Sequence, residues 1–276
     1  MLIYPCPFRA TKAQIGTPFY TFISLKKVEA VEEIRYYEKG NYLENDINYF
    51  DVKDFPQLAE IEQHWPELKE ELQAFIREKD TQFETNTYQN VNVEGGWSSL
   101  SFMFWGGIIT TEFQKKCPRT WAYLSYINGL TLLSLSRLSP NSSIARHRGD
   151  TNAVMRCHLG IEVPTGLPKC GLRVKEEDRG WAEGKWLLFN DSCIHSAWNQ
   201  TDKRRIVLII DVVRPEFLHK KNSICNHIMT YQVINNKLGR KTAYKDSSFL
   251  VKKVLFAIVY GFLSVYRPLQ NLFKDL

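Results

Sequence analysis

A chain of 276 residues and 32.2 kDa that is 44% hydrophobic can hold one barrel-sized domain with appended pieces. It shows no repeats or low-complexity tracts, which excludes solenoid, fibrous and disordered classes. Its six cysteines (Cys6, Cys117, Cys157, Cys170, Cys193 and Cys225) form no CxxC pair or framework spacing, so they read as buried thiols of a reducing compartment, and the formal charge of +6 comes from the end of the chain.

The first residues, MLIYPCPFRATKAQIG, have no charged segment followed by a long apolar run, so no secretory signal is expected. Without secretion, the sequons at Asn141, Asn190 and Asn199 carry no meaning. Residues 1–50 mix a strand-like piece (PFYTFISL) with a charged, helix-compatible one (KKVEAVEEIRYYEKG) and are expected to form an extension against the domain that follows. From Asp54 to Lys79, apolar residues Leu58, Ile61, Trp65, Leu68, Leu72 and Phe75 recur at three- and four-residue steps. That spacing predicts an amphipathic helix, broken or restarted near Pro66. The aromatic run Trp97 to Trp105 (WSSLSFMFW) reads as a core strand in preference to an access lip for an apolar substrate.

Leu130 to Leu138 (LTLLSLSRL) gives the first clear barrel strand, with Leu130, Leu132, Ser134, Ser136 and Leu138 expected on one face. In Ala153 to Val163 (AVMRCHLGIEV), alternation sets Met155, Cys157, Leu159, Ile161 and Val163 on a wholly apolar side. Val154, Arg156, His158, Gly160 and Glu162 take the other side, which then lines a cavity. WAEGK (residues 181–185) is a turn, KWLLFN leads into Asp191 and His195, and RIVLIIDVV from Arg205 is a buried strand that puts Arg205 at its mouth. The succession of short strands predicts a mainly β domain with flanking helices, a double-stranded β-helix of the jelly-roll, cupin-like kind.

After Pro215 the composition changes. From His219 to Leu276 there are ten Lys or Arg against two Asp, a net +8, so the rest of the chain is −2. Within this C-terminal helical tail (residues 221–276), thirteen uncharged residues from Val254 to Tyr266 lie between Lys252, Lys253 and Arg267. Thirteen falls short of the roughly 18–20 needed to span a bilayer. A basic apolar helix over residues 249–273 instead suits the interface of an anionic membrane, with docking on the enzyme or dimerisation as the plainer alternative. No nucleic-acid motif or stacking platform accompanies the charge.

Two stretches carry chemistry: HRGDTNAVMRCH (His147 to His158) and HSAWNQTDKRR (His195 to Arg205), each with histidine nine or ten residues ahead of arginine. Neutral imidazoles bind transition metals, and an arginine fork grips a carboxylate in two-pronged fashion. A metal plus a dicarboxylate is therefore the natural reading, against the plainer one of polar residues satisfied within a sheet. Cys193 reads as core packing more readily than as a neighbour of a metal.

The segments CPRTWAYLSYINGL, SRLSPNSSIARHRGDTNAVMRCHLGI, WAEGKWLLFNDSCIHSAWNQ and RRIVLIIDVVRPE resemble the aspartyl/asparaginyl β-hydroxylase family of iron(II)- and 2-oxoglutarate-dependent dioxygenases, including the lipid A acyl-chain hydroxylases related to it. FPQLAEIEQHWPELKEELQAF resembles the helix before the barrel, so the likeness covers residues 51–220, the expected dioxygenase domain. The resemblance implies that His147 and His195 ligate Fe(II), and that Arg205 grips the distal carboxylate of 2-oxoglutarate. By the same resemblance, Ser136, Arg156 and His158 help to hold that cosubstrate. It implies dioxygen as the second cosubstrate, succinate and carbon dioxide as coproducts, and one oxygen atom inserted into an unactivated C–H bond.

Most enzymes of this chemistry place a carboxylate two residues after the first histidine, where this chain has Gly149. The family shares that gap and fills it with water; Asp150, one residue on, would reach the metal only through a turn. In the peptide-hydroxylating branch, the resemblance implies, a second arginine stands where this chain has Val154; that disfavours an acidic peptide side chain and suits a lipid acyl chain or another less charged substrate, with a peptide or small molecule as the fallback. The expected protein is a cytoplasmic hydroxylase, peripheral on the inner face of a membrane. The alternatives are a peptide aspartyl/asparaginyl β-hydroxylase and a non-catalytic jelly-roll binding protein.

Overall fold

The computed structural model describes residues 47–86, 91–92, 95–239 and 241–274, with side chains to residue 269, all within one compact unit of residues 35–276. The segments expected within residues 1–46, Cys6 among them, lie outside the described residues.

Two antiparallel sheets face each other. The larger runs β1 (Tyr49–Phe50), β10 (Trp186–Phe189), β7 (Val154–Glu162), β12 (Arg205–Val213), β5 (Leu130–Leu138), β3 (Trp97–Phe104) and β2 (Glu84–Thr85), with β4 (Gly107–Ile108) added beside β3. The smaller runs β6 (Ser142–His147), β11 (His195–Asn199), β8 (Cys170–Val174) and β9 (Glu177–Arg179). This is the predicted double-stranded β-helix. β7 and β12 lie mid-sheet, each with one side packed in the apolar core and the other turned to the interior between the sheets.

Side-chain alternation splits the interior in two. Leu138, Phe189 and Val207 of the large sheet meet Ile144, Leu172, Val174 and Ala197 of the small one. Leu133, Leu135, Cys157, Leu159, Leu208 and Ile210 point the other way, onto helices. Each fully buried Leu or Ile there contributes about 1.5–3 kcal/mol. Leu130 joins this second cluster and not the face of Ser134 and Ser136. The ladder slips at Asp211/Val212, where Leu132 and Leu130 are successive partners, and one displaced residue reverses the face.

The helices that cover the large sheet are α1 (Pro56–Gln63) and α2 (Trp65–Lys79), broken at His64 where Pro66 begins a new first turn. Leu58, Ile61, Leu68, Leu72 and Phe75 are all buried, as their spacing predicts. Short helices α3 (Glu112–Lys116) and α4 (Pro118–Ser125) complete the layer. Phe102, from the aromatic strand, packs against Phe75 and Phe113, so that part of the run is core. The five described cysteines are free and buried.

Beyond Pro215, α5 (Lys221–Lys237) packs on the barrel through Ile224, Cys225 and Ile228. A short turn of helix, α6 (Thr242–Lys245), leads to α7 (Phe249–Lys274). The helix covers the residues expected of it, 249–273, but its apolar span exceeds the thirteen-residue count. Helix α7 continues through Arg267 and Pro268, and Phe249–Leu269, 21 residues, is by length and composition sufficient to cross a membrane. Flanking charges do not end a helix whose backbone bonds continue past them, so counting only uncharged residues shortens the element.

Candidate active site

His147 closes β6 and His195 opens β11, and the antiparallel register sets them directly opposite each other. Their ring centroids are 4.2 Å apart. Each Nδ1 lies 2.8 Å from a carbonyl two residues back, that of Ala145 or Cys193. A carbonyl only accepts, so Nδ1 carries a proton in each ring, which leaves Nε2 of the neutral form as the lone-pair nitrogen, the tautomer of a metal-binding imidazole. Burial, then the nearby His147, holds His195 well below the usual histidine range, so its ring is neutral. Among the described residues no three His, Cys, Asp or Glu side chains are grouped as a metal site.

The nearest carboxylate is that of Asp191, not Asp150. Asp191 is buried, with Oδ1 3.5 Å from His195 Nε2 and 2.7 Å from Arg156 Nη1. A Cβ on Gly149 would fall 1.6 Å from Asp191 Oδ2, so the carboxylate occupies the space that a side chain two residues after His147 would fill. Asp150 turns the other way and accepts from Gln232 Nε2 of α5 at 3.0 Å.

Arg156 lines the same cleft, and its fork is shared between two buried acids. Nε and Nη2 each reach Asp211 at 2.8 Å, while Nη1 reaches Asp191. Both prongs of its fork are thus taken up within the protein, whereas Arg205, the residue expected to grip a dicarboxylate, sits deeper in the barrel. Arg205 is fully buried, not at a mouth; its guanidinium lies 4.4 Å over the Trp181 ring and Nη1 donates to Ser136 O at 3.3 Å. Burial pulls it down to about 10, which leaves it charged at neutral pH. Trp181 Nε1 donates to His158 Nδ1 at 3.3 Å, so the His158 proton sits on Nε2. Burial first, then Arg205 and Arg156, hold the His158 pKa well below the ordinary value. Among the described residues, neither His158 Nε2 nor Arg205 Nε, both buried, has a hydrogen-bond partner. Ser136 Oγ accepts from Trp97 Nε1 at 3.0 Å, which leaves the hydroxyl proton to donate elsewhere.

All six residues singled out from the sequence therefore line one cleft of about 380 Å³, part of it open to solvent. Its remaining walls are Trp97, Ile144, Leu172, Phe189, Ala197 and Ile209. Trp97 is thus a wall residue as well as part of a strand, whereas Trp105, at the end of the same run, is buried in the cluster under α5. Val154 does not line the cleft. It packs beside Trp105, Ile224 and Ile228, so its apolar character serves helix docking and carries no information on substrate. Cys193 packs in the inner core, and its carbonyl orients His195.

Residues 62–215 match the family profile described as aspartyl/asparaginyl beta-hydroxylase, more than half of the chain. The chain belongs to that family. This family member is 36% identical over 173 residues to the ornithine lipid ester-linked acyl 2-hydroxylase of Rhizobium tropici, a match covering 60% of each chain. It is 32% identical over 206 residues to aspartate beta-hydroxylase domain-containing protein 2 of Mus musculus, covering 64% of this chain and 59% of that one. Against the aspartyl/asparaginyl beta-hydroxylase of Mus musculus the identity is 30% over 165 residues, 58% of this chain but 22% of the relative. The matched region thus spans less than two thirds of each of these relatives. The crystal structure of a Pseudomonas putida prolyl-4-hydroxylase aligns with 58% of this chain and 100% of that one, at 14% identity and a TM-score of 0.42.

Asp191, Asp211, Trp181 and Phe189 went without a role in the sequence reading. For Asp191 a signal existed, because a glycine at the carboxylate position and an acid four residues before the second histidine are both visible in the chain. The pairing of Asp211 with Arg156 depends on the β7–β12 register, which sets the two residues opposite each other, and no sequence spacing announces it.

Proposed function

We propose that this hydroxylase is iron(II)- and 2-oxoglutarate-dependent and acts on a lipid acyl chain. The residues fit the metal: His147 and His195 offer two Nε2 lone pairs on facing strands, with the Asp191 carboxylate beside them. They also fit the cosubstrate. The His158 Nε2–H and Arg205 Nε–H donors, buried and without a partner among the described residues, join the Ser136 hydroxyl in one cleft, and a carboxylate is the acceptor that satisfies such a set. Those orphaned donors are the observation that carries the reading, since leaving each unmade costs about 1–3 kcal/mol.

When bound, iron(II), 2-oxoglutarate and dioxygen supply the oxidation, one oxygen atom entering the substrate C–H bond and the other the succinate formed as carbon dioxide leaves. The chain's own residues position and shield. The carbonyls of Ala145 and Cys193 fix both imidazole tautomers, and Arg156 holds Asp191 next to His195. Trp181 holds Arg205 and His158 from one side, while Trp97 orients Ser136. The apolar walls Ile144, Leu172, Phe189 and Ile209 limit water and suit a hydrocarbon. Similarity to an acyl 2-hydroxylase supports the same substrate class.

The test is succinate formation from 2-oxoglutarate with iron(II), coupled to mass spectrometry for a gain of one oxygen in acyl lipids and, in parallel, in Asp- or Asn-containing peptides. Lipid-dependent succinate that His147→Ala and His195→Ala abolish is expected. Oxygen gain in peptides alone would overturn the substrate, and iron binding without cosubstrate turnover would overturn the reaction.

A further inference from the structure

Helix α7 presents two unlike faces. Tyr260, Ser264 and Arg267 share one side and hold α5: Tyr260 Oη meets Ser223 Oγ at 3.2 Å and Asn226 Nδ2 donates to Ser264 Oγ at 3.0 Å. Arg267, buried, donates to Asn226 Oδ1 and to the carbonyl of Trp105. At about 100° per residue, Val251, Val254, Ile258, Phe262, Val265 and Leu269 lie on the opposite side. Every one of these six is exposed, Ile258, Phe262 and Val265 by 63–65%. They form an unbroken apolar stripe roughly 27 Å long, at 1.5 Å per residue. A soluble protein leaves such a stripe uncovered only where something else covers it.

The charge around the helix points to what covers it. At the head of the stripe stand Lys241, Lys245, Lys252 and Lys253, with Asp246 the one acid among them. Basic charge beside an apolar stripe complements an anionic lipid surface, and each such lysine adds roughly 1 kcal/mol of attraction. Spanning the bilayer would require stripping α7 from α5 and carrying Arg267 into hydrocarbon, away from the two acceptors it has in the fold.

We infer that α7 lies flat in the interface of an anionic membrane, its stripe in the acyl layer and its polar seam still fastened to α5. This orientation has a consequence for the cleft. The Gln232–Asp150 hydrogen bond ties α5 to the loop directly after His147, and Ala153 of that loop packs against the same helix. The membrane-bound helix is thereby braced to the rim of the site, so an acyl substrate is drawn from the leaflet and not from water. That last step rests on the proposed acyl hydroxylase reading; the docking itself does not.

The experiment uses the full chain and vesicles of phosphatidylcholine with or without half phosphatidylglycerol, read by sedimentation. Binding to the mixed vesicles, weakened by high salt and lowered at least tenfold in the triple variant Ile258→Asp, Phe262→Asp, Val265→Asp, is expected. The variant should keep its melting temperature and its turnover of a short, water-soluble acyl substrate. Equal vesicle binding by the variant would overturn the inference. So would a parent protein that ignores vesicles and instead dimerises in light scattering, losing the dimer in the variant. Retention in cell membranes after alkaline carbonate would favour a span and overturn the flat arrangement. Loss of turnover in the parent with vesicle binding intact would count against the hydroxylase reading alone.

Discussion

Gly149 and Asp191 compete for one volume: a Cβ on the glycine would stand 1.6 Å from Oδ2 of the acid. The Gly149 amide donates to the Asp191 carbonyl at 2.7 Å, so the two backbones are fastened together and cannot separate cheaply. Gly149→Ala must therefore push the carboxylate away from His195 and Arg156. Groups that orient a ligand are typically worth 10- to 100-fold in metal affinity. A loss of that size is expected in a divalent-metal titration, with the melting temperature of the metal-free protein moving far less.

Arg156 pairs with both Asp191 and Asp211, which are buried. Removing one partner of a buried ion pair costs about 3–5 kcal/mol because the other charge is left uncompensated. Arg156→Leu should show a loss in that range in urea unfolding, measured without metal. A change below about 1 kcal/mol, within the spread of ordinary surface substitutions, would show that the two acids do not depend on it.

Arg205 and Trp181 form a stacked pair behind Ser136 and His158. Arg205→Ala should weaken 2-oxoglutarate binding by about 2–5 kcal/mol, the usual cost of truncating a buried charge partner. Trp181→Leu should weaken it less, by about 0.5–2 kcal/mol, since it removes only the ring beneath the cation. Calorimetric titration of 2-oxoglutarate into the metal-loaded protein separates the two, and equal losses would contradict this division of roles.

Metal binding should register as stability. A ligand at one hundred times its dissociation constant raises the unfolding free energy by about 2.7 kcal/mol. A redox-inert divalent metal should therefore raise the melting temperature of the parent and leave His147→Ala unmoved, with the gain reversed by chelator. An equal gain in the variant would place the metal elsewhere.

Arg267 fastens the C-terminal helix. Arg267→Leu leaves the Trp105 carbonyl and Asn226 Oδ1 without this donor, at about 1–3 kcal/mol for a buried unsatisfied group. Hydrogen exchange should rise along Phe249–Leu269 and stay unchanged in β7 and β12. Uniform loss of protection instead would mean that the helix is part of the barrel's cooperative unit.

The sequence by itself determined the local facts. Period-two alternation put Arg156 and His158 on one side of a strand and Cys157 and Leu159 on the other, and the three- and four-residue spacing of Leu58 to Phe75, with Pro66 within it, specified a helix that restarts near that proline. Both patterns depend only on backbone geometry, which is the same wherever the element sits. Tertiary structure alone decided which distant residues share a volume. The face of Leu130 followed from a slipped ladder, and Val154 was claimed by α5 and not by the cleft. Arg156 was taken by Asp211, 55 residues away, and the carboxylate beside His195 came from Asp191 because Gly149 left the room for it. Such choices depend on register and on competition for space between elements far apart in the chain, and no local pattern encodes either.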